Sequence, residues 1–195
     1  VENSANHARE ALEEELVDEI LPMDEAIINA DVVILATPVN TLSKLVPEIL
    51  DKIDHQIVID LGSTKSDILK AVAKHPKRGR YVATHPMWGT EFSGPKAAVH
   101  GAFEGKAVIV CNREESDADA LEWVETMYSK IGMHITYMGA KAHDLHVAYV
   151  SHISHITSFA LANTVLEKEK VESAIFDIAS AGFDSTVRLA KSNSS

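Results

Sequence analysis

The sequence holds one cysteine, Cys111, among 195 residues. It cannot close a disulfide within the chain, and a reducing cytoplasm is the compartment expected. Positive charge is scarce: 18 Lys and Arg stand against 29 Asp and Glu, a net charge of −11. The basic footprint of a duplex nucleic-acid binder is therefore missing. No apolar run approaches the roughly 18–20 residues that a membrane-spanning helix needs. None of the nine glycines falls in a G-x-G-x-x-G pattern, and the first is Gly62. If a dinucleotide is held by that loop, the loop precedes Val1. There is no initiator Met, no signal-peptide pattern, no repeat and no low-complexity segment. The chain reads as an internal piece of a longer protein.

What is present describes an ordinary folded protein. Hydrophobic residues make up 46% and charged residues 24%, which argues against disorder. Helical spacing marks Asn6 to Glu15, Thr41 to Leu50, Ser66 to Lys74 and Asp117 to Lys130. Between them lie short runs rich in β-branched residues: Asp31 to Ala36, Gln56 to Asp60, Tyr81 to Ala83, Ala107 to Cys111 and His134 to Tyr137. Apolar runs of this kind suit strands buried on both faces. Strand alternating with helix predicts an α/β fold, a Rossmann-like doubly wound parallel sheet whose first strand and glycine-rich loop are missing. After Met138 the pattern turns helical. Lys141 to Lys168 has no Gly or Pro, and Glu172 to Ser180 continues in the same style. The expected domains are residues 1–138, a dinucleotide-binding domain, and residues 139–195, the start of an all-helical domain.

Ligands of such sheets bind outside the carboxyl ends of the strands, so the residues there are the candidates. Val1-Glu2 fits the tail of a strand, with Glu2 placed to bond an adenosine ribose and favour NAD over NADP; an exposed Glu in a frayed terminus fits equally. Thr37, Pro38 and Val39 follow the first strand, either as a simple strand-ending turn or beside a bound cofactor. Asp60 to Lys65 ends the next strand. There Gly62 permits a tight turn, and Ser63 serves as a helix cap, a ligand hydroxyl, or both. Thr84 to Pro95 is the most unusual stretch, with His85, Trp88, two Gly, two Pro and Glu91 in one loop. Loops at strand ends gather catalytic groups, and His is suited to moving protons near neutral pH. His143, His146, His152 and His155 lie on the predicted long helix. A rise of about 1.5 Å per residue puts His143 and His152 roughly 13.5 Å apart, so the four cannot share one ion, and no metal is expected. Arg188 offers a planar two-pronged contact to a carboxylate in an otherwise acidic chain, or is a plain surface Arg.

Taken in order, these pieces resemble the prephenate and arogenate dehydrogenase family of tyrosine biosynthesis. The carrying motifs are Asp31-Val-Val-Ile-Leu-Ala-Thr-Pro-Val39, Asp60-Leu-Gly-Ser-Thr-Lys65 and Thr84-His-Pro-Met-Trp-Gly-Thr-Glu-Phe-Ser-Gly94. To them add His143-Asp144, Ser151-His-Ile-Ser-His155 and Ser185-Thr-Val-Arg-Leu-Ala-Lys191. The resemblance implies oxidative decarboxylation of prephenate to 4-hydroxyphenylpyruvate, with hydride transfer to NAD (or NADP); arogenate is the alternative substrate. It implies that His85 takes the proton of the ring hydroxyl and that Ser63 holds the hydroxyl and His85 in register. Arg188 would grip a substrate carboxylate, His155 would lie beside the substrate, and Glu91 would stand at the pocket mouth. Thr37, Pro38 and Val39 would line the nicotinamide side, and His143 and Asp144 would play a supporting part. The helical domain would build a homodimer and complete the site, so the isolated piece is expected to be inactive.

Trp88 stands where the family commonly has a small residue, Ser154 where Pro is frequent, and the segment around Asp184 lacks a common Arg-Asp pairing. A 3-hydroxyacid dehydrogenase fits poorly, because Lys141 is the only Lys early in the long helix. A non-catalytic nucleotide-binding dimerisation module is the remaining alternative.

Overall fold

A computed structural model describes residues 1–89, 92–170, 178 and 181–191. The chain forms two compact units. One is Val1–Trp88 with Gly94–Asp144; the other is Gly89–Ser93 with Leu145–Ser195.

The first unit is built on a five-stranded sheet in the order β1 (Val32–Leu35), β2 (Ile57–Asp60), β3 (Tyr81–Pro86), β4 (Ala107–Cys111), β5 (His134–Met138). Helices α1 (Ala5–Glu13) and α2 (Met23–Asn29) precede β1. Helix α3 (Val39–Lys52) joins β1 to β2, α4 (Ser66–Val72) joins β2 to β3, and α5 (Ala118–Lys130) joins β4 to β5. Three strand pairs are parallel, as predicted, and β3–β4 is antiparallel. The reason lies in the connection. A parallel return needs a crossover, usually a helix, and the described residues between β3 and β4 hold only the 3₁₀ turn Pro95–Ala97.

Alternation along the strands divides the core between the two faces. Val58, Tyr81, Ala83, Ile109 and Cys111 pack with Leu42, Val46 and Ile49 of α3 and Ile68 and Val72 of α4. Ile59, Val82, Val108 and Val110 pack with Ala120, Val124 and Tyr128 of α5. The helical residues recur at the three- and four-residue spacing that lines one face of a helix.

A second expectation needs correction. Strand β1 lies at a sheet edge and Ile34 is 49% exposed, so the described residues do not bury it on both faces. Helix α1 forms near its predicted place, with the Ser4 hydroxyl oxygen accepting from the His7 N–H, but buries no residue. Helix α2 was not anticipated; it is seven residues long and buries only Ile27.

In the second unit, α6 (Ala140–Val147, beginning in the first unit) is followed by a π-helical turn, Ala148–His152, and by α7 (Ile153–Glu169). Helix α7 packs against α8 (Ala181–Val187) and the 3₁₀ turn Arg188–Lys191. Ser158 and Val187 are buried there. The predicted helix over Glu172 to Ser180 falls outside the described residues, apart from Ile178. Among the described residues no helix is long and apolar enough to cross a membrane.

Candidate active site

Strands β2 and β3 run parallel, so the turn after Asp60 and the end of β3 at His85 lie at the same edge of the sheet. Asp60 and Lys65 are both fully buried and form an ion pair. One Asp60 carboxylate oxygen accepts from the Tyr81 hydroxyl at 2.6 Å, and the other from the Gly62 N–H at 2.9 Å and from the Lys65 ammonium. Lys65 also donates to the Thr84 carbonyl at 2.8 Å. Burial pulls the Lys65 ammonium below its usual range, and the Asp60 carboxylate partly offsets that fall.

Any side chain at position 62 would force its neighbours to shift. A Cβ there would stand 2.7 Å from Leu42 Cδ1 and 2.9 Å from the Asp60 carboxylate. On the other face of β3, the Thr84 hydroxyl donates to the Asp60 carbonyl at 2.7 Å. That hydroxyl has one proton, so Tyr128 O–H donates to Thr84 Oγ1 across 2.8 Å.

His85 is half-buried, paired in register with Ile109 of β4. His85 Nδ1 lies 2.9 Å from His143 Nε2, with the rings edge-to-face at a centroid distance of 5.1 Å. His143, on α6, is fully buried, and its Nδ1 lies 2.8 Å from Asp144 Oδ1. Asp144 also accepts the Lys65 and Ser66 backbone N–H groups, each at 2.8 Å. It thereby satisfies the first turn of α4, whose orphan N–H groups need a partner. Burial lowers the basicity of His143, against the opposing pull of Asp144. Burial alone would raise the Asp144 carboxyl, but the hydrogen bonds from Ser66, His143 and Lys65 outweigh it and hold the group below the ordinary carboxylate range.

The other candidates are placed as follows. Ser63 is half-buried on the turn after β2; it does not cap α4, whose N-cap is Lys65 with Asp144 taking the donors. Thr37 is exposed, Pro38 caps α3 and Val39 opens it. Glu2 accepts from the Ser4 N–H at 2.8 Å and lines, with Thr37 and Ala36, a groove of about 390 Å³ along β1. His155, on α7, approaches the Ser151 carbonyl with Nδ1 at 3.2 Å. Arg188 is exposed in the second unit. Glu91 lies outside the described residues. The Trp88 ring packs edge-to-face on Phe103 at 5.7 Å. Among the described residues no group of three or more His, Cys, Asp or Glu is arranged for a metal ion.

Sequence reasoning gave Asp60, Lys65, Tyr81, Thr84 and Tyr128 no functional part. The one available signal was a pair of opposite charges five residues apart at the end of an apolar strand.

A family model described as prephenate dehydrogenase, nucleotide-binding domain, matches residues 1–137, and one described as prephenate dehydrogenase, dimerization domain, matches residues 139–195. The chain belongs to the prephenate dehydrogenase family. A prephenate dehydrogenase of Bacillus subtilis is 30% identical over 167 residues, covering 84% of this chain and 45% of the relative. A cyclohexadienyl dehydrogenase of Zymomonas mobilis is 27% identical over 172 residues, covering 87% of this chain and 59% of the relative. The chain thus spans about half the length of these curated relatives. The crystal structure of A. aeolicus prephenate dehydrogenase in complex with hydroxyphenyl propionate and NAD+ superposes with a TM-score of 0.85 at 26% identity, covering 99% of this chain and 68% of that one. Membership of the prephenate dehydrogenase family accounts for the Rossmann-like sheet followed by helices.

Proposed function

We propose that the protein carrying this chain oxidatively decarboxylates prephenate to 4-hydroxyphenylpyruvate and passes the hydride to NAD. The observation that carries this reading is His85 at the carboxyl edge of the sheet, linked to His143 and Asp144, in a chain of this family. His85 accepts the proton of the ring hydroxyl. As negative character grows on that oxygen, hydride departure from the same carbon becomes easier, which is what a base contributes. Ser63, at the same edge, holds the hydroxyl and His85 in register. Arg188 takes a substrate carboxylate and His155 flanks the substrate; these two assignments, and those of Ser63 and Glu91, rest on the motif resemblance.

The residues present fit NAD at its two ends. Glu2 offers a carboxylate to ribose hydroxyls, and Thr37, Pro38 and Val39 lie after β1, where the nicotinamide side of such a cofactor passes. The described residues include no glycine-rich turn for the pyrophosphate. NAD, when bound, supplies the hydride acceptor. A homodimer is supported by the family description of residues 139–195. It is supported further by exposed apolar side chains recurring at helical spacing: Leu145 56%, Tyr149 67%, Ile153 45% and Ile156 66%. A lone thiol, Cys111, buried in the sheet, suits a cytoplasmic setting.

The test is NADH formation by the whole protein with prephenate and NAD, with arogenate and NADP in parallel. Turnover of prephenate that disappears in His85→Asn is the expected result. Turnover of arogenate alone would keep the chemistry and change the substrate. No turnover by folded protein would leave a nucleotide-binding dimerisation module.

A further inference from the structure

We propose that His143 and Asp144 are positioning residues that hold His85 in one tautomer, with the proton on Nδ1 and the basic lone pair on Nε2. The inference rests on the reading of His85 as the base of the dehydrogenase reaction.

The argument follows the hydrogen bonds outward from Asp144. Its two oxygens face three donors: the Lys65 and Ser66 backbone N–H groups and His143 Nδ1, all at 2.8 Å. An ionised carboxylate only accepts, so His143 Nδ1 carries a proton. His143 is 0% exposed. The charged groups that face it are Asp144 on its own helix, Lys65 and Asp60 at the end of β2, and the His85 imidazole from β3. Burial and the Lys65 ammonium both disfavour an imidazolium there. A neutral His143 with its proton on Nδ1 presents a lone pair at Nε2. Nδ1 of His85, 2.9 Å away, must then be the donor, which makes Nε2 the nitrogen that takes up a proton.

The same chain supports the protonated state. When His85 gains a proton at Nε2, its Nδ1–H bond points along a line that ends on a carboxylate, and the ring need not turn. Orientation of a catalytic His through its other nitrogen is the task of the carboxylate in a Ser-His-Asp triad; here an imidazole stands between. The backbone of α4 contributes as well. Because Asp144 is pinned by the first two N–H groups of that turn, the relay is anchored to the segment that carries Ser63 and Lys65.

The decisive measurement is the imidazole tautomer of His85 in the whole protein labelled with ¹⁵N-histidine, read by long-range ¹H–¹⁵N correlation at pH 8. The His85 signals are identified by their loss in His85→Gln. A proton on Nδ1 is expected. A proton on Nε2 overturns the proposal, whether or not the protein oxidises prephenate, so failure of the relay is separate from failure of the functional reading. Kinetics give the second readout, in Asp144→Asn and His143→Gln. With folding confirmed by circular dichroism, kcat for prephenate should fall at least about 10²-fold. The KM values for prephenate and NAD should stay within about threefold, since the lost interaction belongs to the transition state. The His85 tautomer should shift towards Nε2–H in both variants. An unchanged tautomer, or a kcat within threefold of the parent, refutes the positioning role.

Discussion

The buried pair of Lys65 and Asp60 makes the sharpest stability prediction. Both side chains are 0% exposed. Lys65→Met keeps the length and most of the volume but removes the ammonium. Asp60 then keeps the Tyr81 hydroxyl at 2.6 Å and the Gly62 N–H at 2.9 Å, with no cation. The Thr84 carbonyl loses its 2.8 Å donor as well. Breaking a buried pair by removing one partner costs about 3–5 kcal/mol, and a buried carbonyl left unsatisfied about 1–3. The two overlap, because one ammonium serves both groups, so the expected loss is about 4 kcal/mol. For a chain of this size that lowers Tm by roughly 8–16 °C. The assay is urea unfolding followed by circular dichroism. The partner variant matters more than the single one. Asp60→Asn in the Lys65→Met background removes the stranded charge; its amide oxygen accepts from the Gly62 N–H and its NH2 donates to the Tyr81 hydroxyl oxygen, and it should recover at least about 1.5 kcal/mol. A Lys65→Met loss below about 1 kcal/mol, or a double variant as unstable as the sum of the singles, would refute the account.

Gly62→Ala should destabilise the fold by about 1–3 kcal/mol, because the added Cβ meets Leu42 Cδ1 at 2.7 Å; thermal unfolding checks this. Tyr128→Phe should cost about 1 kcal/mol, since Thr84 Oγ1 loses the donor 2.8 Å away; loss within error would show that the hydroxyl contributes nothing. Cys111, whose thiol is pushed up to about 12 chiefly by burial, should resist aromatic disulfide reagents until the protein unfolds, and prompt native labelling would contradict that burial. Burial holds the His143 imidazole below the ordinary histidine range, near 6.5, so below about that pH the unfolded chain binds a proton that the folded chain refuses. Stability should therefore fall as pH drops from about 6.5 towards the folded-state value, and His143→Gln should flatten that part of the Tm–pH curve.

The legible parts of this chain are those whose cause is local. Strands β2 and β4 announce themselves as β-branched runs because both of their faces are packed, and the spacing of Leu42, Val46 and Ile49 marks α3 for the same reason. The antiparallel strand was not legible, because direction is a property of the connection; only the lack of a helix among the described residues between Pro86 and Ala107 accounts for it. His85 stood out through the density of unusual residues around it. Its link to His143 did not: the resemblance gave His143 and Asp144 a supporting part, but nothing local joins His85 to a residue 58 positions away. Lys65 was given no part, for a more instructive reason. A Lys beginning a helix ordinarily reads as solvated, and nothing within five residues says otherwise except Asp60. The partners of Lys65 in the interior are Asp60 and the Thr84 carbonyl, the latter brought alongside by the parallel register of β2 and β3. Asp144 follows the same logic: the resemblance gave it a supporting part without saying which, and it supplies the cap that a local reading had offered to Ser63. Because that cap comes from α6, the Ser63 hydroxyl is not needed for the start of α4. A Ser63→Ala change should therefore affect turnover without lowering Tm, whereas Asp144→Asn should affect both.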